Sequence, residues 1–302
     1  MSGVGNPFDL PGPEFLIVYA VVGGLLLVSL HVARVVAESG DPPRLDVSDP
    51  YAVAYLRGGR NEALRLAAIS LIDRRLLEFI EPDRLLATPL SDGLVRLRIE
   101  RTVLKEFDRE REARRLFTDA DLREAADDYR PTLVRLGLLP DEATARARRR
   151  RLIGVLVVLV GIALTKILLA LGRGRTNVFF LVVETAVFGF VAIKIHNPWA
   201  TERGRTLLAD LRRLFARLKD RVTTLRPGGA TAEVSLAAAV FGIGLLPVAV
   251  FPYARQLFPA AARSSGDGWT GGWTSACGSG CGGGSGGGGG CGGGCGGCSA
   301  GA

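Results

Sequence analysis

The chain has 302 residues, 48% of them hydrophobic, and a formal net charge of +8 at neutral pH. Its apolar residues gather in long runs and its 40 glycines gather towards the C-terminus, which excludes one evenly mixed soluble domain. The positive charge is mostly arginine set beside the apolar runs, so it points to an anionic membrane leaflet rather than to nucleic acid.

Residues 1–38 read as an N-terminal segment followed by a first span. Asn6-Pro7, Pro11-Gly12 and Pro13 make the start a loop without Lys or Arg. The apolar run Phe15 to Val36 follows, with His31, Arg34 and Glu38 at its end. A secretory leader wants a basic start, which is absent, although Val35-Val36-Ala37 has the form of a cleavage site. We read an uncleaved transmembrane helix with its N-terminus outside and Arg34 inside.

Residues 39–48 form a polar linker, and residues 49–151 a cytoplasmic helical domain. Asp49 suits an N-cap, Pro50 the first helical position, and Gly58-Gly59 the helix end. A second helix is expected from Asn61 to Arg75, with Leu64, Ala68, Leu71 and Ile72 on one face and Arg65, Asp73 and Arg74 on a polar one. Leu76 to Ile80 and Leu85 to Thr88 read as strands around Glu81-Pro82-Asp83. Helix, helix and hairpin together suggest a winged-helix-like unit. Ser91-Asp92 should start a helix carrying Val95, Ile99, Val103 and Phe107. Thr118 to Asp121 has the form of a capping box, and Pro131 should end or kink the helix after it.

Residues 152–196 read as a transmembrane hairpin behind the cluster Arg146-Ala147-Arg148-Arg149-Arg150-Arg151. Its runs, Leu152 to Leu171 and Asn177 to Ile195, are each about 20 residues, which at about 1.5 Å per residue matches a hydrocarbon core of roughly 30 Å. The basic cluster sets the inside. Arg173 and Arg175 in the outer turn argue mildly against that orientation. Lys166 and Glu184 sit about 9 and 12 Å below the outer turn, so they pair across the antiparallel helices. Such a pair either fixes the hairpin's packing or serves a proton or ion relay. His31 and His196 fall near the inner ends, but two histidines make an incomplete metal site.

Residues 197–229 hold a basic amphipathic helix. Leu207, Leu208, Leu211, Leu214, Phe215, Leu218, Val222 and Leu225 share a face away from Arg212, Arg213, Arg217 and Arg221. It lies either in the membrane surface or against the soluble domain. Residues 230–259 carry a fourth apolar segment, Val234 to Phe251, interrupted by Gly242, Gly244 and Pro247. At about 27 Å of helix it is a marginal transmembrane candidate, and we read it as a span, with a re-entrant or interfacial segment as the alternative.

Residues 260–302 form a low-complexity tail of Gly, Ser and Cys that cannot bury a core and is expected to be disordered. All five cysteines lie here, spaced Cys277-x3-Cys281-x9-Cys291-x3-Cys295-x2-Cys298. Glycine linkers let their thiolates converge on Zn, Cu(I) or an Fe–S cluster. Disulfides, covalent modification and a chemically idle glycine tract are the competing readings. If the fourth segment spans, the tail is outside.

The sequence shows no nucleophile elbow, Walker loop, zincin helix or dinucleotide fingerprint, and residues 49–151 hold neither His nor Cys. No catalytic or cofactor-binding residue is assigned. Arg57, Arg60, Arg65, Arg74 and Arg75 are interleaved with acidic residues, so nucleic acid is a poor partner.

The box Asp49, Pro50, Tyr51, Ala54, Tyr55, Leu56, Arg57, Gly58, Gly59, the opening Asn6-Pro7-Phe8-Asp9-Leu10-Pro11-Gly12-Pro13 with Phe15, the paired spans and the Gly/Cys-rich tail resemble one family. It is a family of uncharacterised bacterial multi-pass membrane proteins with a variable C-terminal tail. Ala52 stands where that family commonly has an acidic residue. The resemblance implies a bacterial inner-membrane location and no particular activity.

The expected fold is mainly α: multi-pass transmembrane helices, a small winged-helix-like and mostly helical cytoplasmic domain, and a disordered tail. The expected role is a non-enzymatic scaffold or interaction protein that presents the tail, with the lipid bilayer and other proteins as partners. A metal- or redox-linked protein working through the tail cysteines, or a membrane-tethered regulator, is the alternative.

Overall fold

The structure, a computed structural model, describes residues 12–41, 49–88, 95–172, 179–196, 198–217, 232–248, 251–259 and 261. The apolar first run forms α1 (Gly12–Glu38). The box forms α2 (Pro50–Gly58), where Asp49 Oδ1 accepts from Tyr51 N at 3.0 Å and Pro50 occupies the first turn. Helix α3 (Arg60–Asp73) follows after the single residue Gly59.

Strands β1 (Leu77–Ile80) and β2 (Arg84–Ala87) pair antiparallel around the expected turn, with Phe79 opposite Leu85. Helix α4 (Arg98–Glu106) begins later than Ser91-Asp92, which lie outside the described residues. Its N-cap position is Leu97 and makes no side-chain cap bond. Strand β3 (Arg111–Glu112) pairs with β2, giving the sheet order β1-β2-β3. The short α5 (Arg115–Thr118), α6 (Ala120–Asp127) and α7 (Tyr129–Arg135) complete this part. Asp119, not Thr118, caps α6, accepting from Leu122 N at 3.1 Å. The break at Asp128 precedes Pro131, which sits in the first turn of α7, where proline is tolerated.

The basic cluster is not a separate flank. It lies within one helix, α8 (Glu142–Gly172), 31 residues long and preceded by Asp141, whose Oδ1 accepts from Thr144 N at 2.8 Å. Those hydrogen bonds from Thr144, side chain and backbone, hold the exposed Asp141 carboxyl below its ordinary range. Helix α9 (Phe179–His196) returns. Helices α1, α8 and α9 are each long and apolar enough to cross a membrane.

The three helices bundle around Phe15, Tyr19, Leu159, Ala163 and Leu181. Tyr19 is buried there and donates to Leu159 O at 3.1 Å, and its hydroxyl lies 2.9 Å from Thr185 Oγ1. An otherwise apolar interface thus holds one phenol with its polar end satisfied. The outer faces expose Ile17, Val21, Leu25 and Val28 of α1, Val157 and Leu168 of α8, and Phe179 and Phe180 of α9.

The C-terminal part settles one open placement and departs from expectation once. The amphipathic segment forms α10 (Glu202–Leu214), which buries Leu208 and Leu211 in the soluble core. Of the two placements open in the sequence, packing on the soluble domain is the one adopted here. Leu218, Val222 and Leu225 lie outside the described residues.

The fourth apolar segment is a correction. It forms α11 (Ala232–Phe241), a 10-residue helix stopped at Gly242, then a turn at Ile243–Leu245 and α12 (Pro252–Leu257). At 1.5 Å per residue α11 is about 15 Å long, half a bilayer core. It packs against α2 and α3 and buries Ala237, Ala238, Ala239 and Val240 completely. Ile243, Leu246, Phe251, Ala254 and Phe258 continue the same core. α3 has no exposed residue because α2, α4, α5, α6, β1 and α11 all pack on it, and Asp73, expected on a polar face, is buried near Tyr253.

Candidate functional site

The box sits at the centre of the soluble core. Tyr51 is buried and donates to Glu100 Oε1 of α4 at 2.6 Å, and Arg74 Nη1 donates to the same oxygen at 2.9 Å. One turn on, Tyr55 donates to Asp127 of α6 at 2.9 Å, and Arg60 pairs with the other oxygen of that carboxylate at 2.6 Å. Ala54 and Leu56 are wholly buried. Arg57 donates to the Ala238 carbonyl of α11 at 3.0 Å and pairs with Glu62, which also holds Arg65. Burial pushes the Arg57 guanidinium below its ordinary value, with Glu62 opposing the shift. The box therefore joins α2 to α4, α6 and α11 with polar bonds inside an apolar core, where an unmade bond is costly.

Gly59 closes the box at φ +80° and ψ −165°, a region essentially reserved for glycine. A Cβ there would meet Trp199 Cζ2 at 3.0 Å. Gly59→Ala should lower the unfolding free energy of the detergent-purified chain by about 1–3 kcal/mol in a urea titration. A change within about 0.5 kcal/mol, the usual range for a neutral surface substitution, would show that the backbone relaxes freely there.

Burial raises the phenols of Tyr51, Tyr55, Tyr129 and Tyr253, with neighbouring carboxylates adding to the shift. A raised folded value contributes stability that is complete below the unfolded value, about 10, and is lost as pH rises beyond it through the folded values. The soluble domain should therefore unfold above about pH 10, with phenolate absorbance at 295 nm rising together with loss of helical circular dichroism. Phenolate formation ahead of helix loss would contradict this.

Trp199 links the box to the ends of the three long apolar helices. Its Nε1 donates to Tyr55 O at 3.2 Å and its ring lies 5.9 Å from the Tyr55 ring. Immediately before it, Pro198 O accepts from Arg148 Nη1 at 2.9 Å. Arg148 is also bidentate to Glu38, at 2.6 and 2.7 Å, with both side chains almost wholly buried. Arg34 donates to Ile195 O and to Glu202 Oε2, the latter at 3.3 Å. His196 Nε2 lies 2.8 Å from the Arg148 carbonyl, which only accepts, so Nε2 carries the proton. Thr201 caps α10 through Gly204 N at 3.2 Å and donates from Oγ1 to Gly137 O at 2.7 Å. The end of α1 at Arg34 and Glu38, α8 at Arg148 and the end of α9 at His196 are thus bonded to each other, and α1 to α10.

The sequence-predicted residues fare differently. All box residues converge in this one core. Lys166 lies with Nζ 4.4 Å from the Phe15 ring, and Glu184 is half-buried on α9 beside Thr185. His196 is committed to a backbone carbonyl, while His31 is half-buried on α1. Among the described residues, no group of three or more His, Cys, Asp or Glu is placed to hold a metal ion. Cys277, Cys281, Cys291, Cys295 and Cys298 lie outside the described residues.

The Glu38–Arg148 partnership is not legible in the sequence. Glu38 reads as the polar edge of a span, and Arg148 is one of five arginines in a row of six residues. Only their meeting in space singles them out. Tyr51 and Tyr55 carried a hint: two tyrosines four apart share a helix face, and buried phenols need acceptors. No protein-family model, curated protein or solved structure matches this chain.

Proposed function

We propose that this protein is a non-enzymatic, multi-pass membrane scaffold or interaction protein of the bacterial inner membrane. Its soluble domain is fixed to the inner ends of three helices and presents the Gly/Cys-rich tail to protein partners. The carrying observation is the run of bonds from the buried Glu38–Arg148 pair through Pro198 and the part-exposed Trp199 to Tyr55. Such a junction holds a domain in one orientation on its anchor, which display requires. The apolar outer faces of α1, α8 and α9 support lipid as the covering partner. Exposed Arg146, Arg149, Arg150 and Arg151 support a cytoplasmic soluble domain with the N-terminus outside. Lys166 and Glu184, on facing helices near the outer ends, serve in this reading as an intramembrane pair that fixes the hairpin.

In-cell crosslinking of the full chain against a chain ending at Ala261 tests the proposal. Protein adducts lost with the tail, while membrane insertion persists, support display. An unchanged adduct pattern overturns it.

The alternative is metal- or redox-linked chemistry at the five tail cysteines. Metal retained by the purified full chain and lost on Cys→Ser replacement would favour it. The winged-helix-like order of α2, α3, β1 and β2 also suggests a tethered regulator. Against DNA binding, α3 would be the reading helix, and none of its residues is exposed.

A further inference from the structure

The position of α11 and α12 bears on the whole C-terminus. Arg57 donates to the Ala238 carbonyl at 3.0 Å, so α11 is bonded to the box and not only packed on it. α12 is held as firmly. Phe258 is buried with its ring 5.8 Å from that of Phe117, and the Arg65 guanidinium lies 5.3 and 6.0 Å from these two rings. Gln256 Nε2 donates to Glu81 Oε1 beside the β1–β2 turn at 3.2 Å. Ala261 belongs to the same core.

The chain therefore enters its last stretch from within the soluble domain. From Ala262 to Ala302 the sequence is mostly Gly, Ser and Cys, and it contains no apolar run approaching the roughly 20 residues that a helical crossing needs. Nothing in that composition carries it back through lipid. We infer that all five cysteines lie on the same side of the membrane as residues 49–151, as free thiols. Their sidedness rests on the packing of α11 and α12. Their reduced state rests also on the cytoplasmic reading of residues 49–151, because the cytosol keeps thiols reduced.

The test uses a membrane-impermeant maleimide on spheroplasts, before and after permeabilisation, each with and without prior reduction. The native chain reports the tail. A chain with its five cysteines changed to Ser and carrying Arg109→Cys, at an exposed position, reports the soluble domain. Both should label only after permeabilisation, and the tail should label without prior reduction. Tail labelling in intact spheroplasts while Arg109→Cys stays protected would overturn the inference. So would labelling that requires reduction. If both label in intact spheroplasts without reduction, shared sidedness stands and the cytoplasmic orientation falls.

Discussion

Glu38→Met alone should destabilise the detergent-purified chain by about 3–5 kcal/mol, because it strands the Arg148 guanidinium in a buried site. The pair is bidentate, with side-chain exposures of 6% for Arg148 and 4% for Glu38, so water cannot take over the missing partner. The Pro198 carbonyl still accepts from Arg148, but a carbonyl does not neutralise a charge. The double variant Glu38→Met/Arg148→Met should recover most of the loss. Replacing a whole buried pair by apolar groups of similar volume is often neutral, whereas removing one partner is not. Urea unfolding followed by circular dichroism gives both values. A single variant no less stable than the double one would show that the charges are solvated, and the rigid junction would lose its main support. The pair also joins the end of the first span to α8, so in intact cells Glu38→Met should raise the protease sensitivity of the soluble domain.

Phe251→Ala is the second large effect expected, at about 3–5 kcal/mol for truncating a buried phenylalanine. Phe251 is wholly buried, stacked edge-on against Tyr253 at 6.0 Å, within the core shared by α2, α3 and α11. The cost combines the lost transfer of the ring from water with the cavity left behind. Phe180→Ala is the matched control. Phe180 lies on the exposed outer face of α9, so truncating it leaves no cavity inside the protein. A bilayer-spanning segment from 234 to 251 would predict similar, small effects for both variants. Equal losses would therefore remove α11 from the soluble core, and with it the basis for placing the tail.

The contrast between these two phenylalanines also marks how far the sequence could be read. Apolar runs of about 20 residues and an Asp-Pro helix start are local signals, and each produced the helix it implied: α1, α8, α9 and α2. The hairpin of β1 and β2 was equally local. Hydropathy reports that side chains leave water, but not whether they enter lipid or protein. Val234 to Phe251 and the face of α10 carried that ambiguity, and only the packing of α11 against α2 and α3 resolved it. Choice of partner was illegible for a related reason. Coulomb attraction does not depend on sequence separation, so nothing in the order of residues tells Arg148 from its neighbours, or ties Tyr51 to Glu100 and Arg57 to Ala238. The sequence by itself determined where the three helices long and apolar enough to cross a membrane lie, and how the box begins its helix. The tertiary structure decided which polar groups meet, and that the last apolar segment closes the soluble core instead of crossing the bilayer.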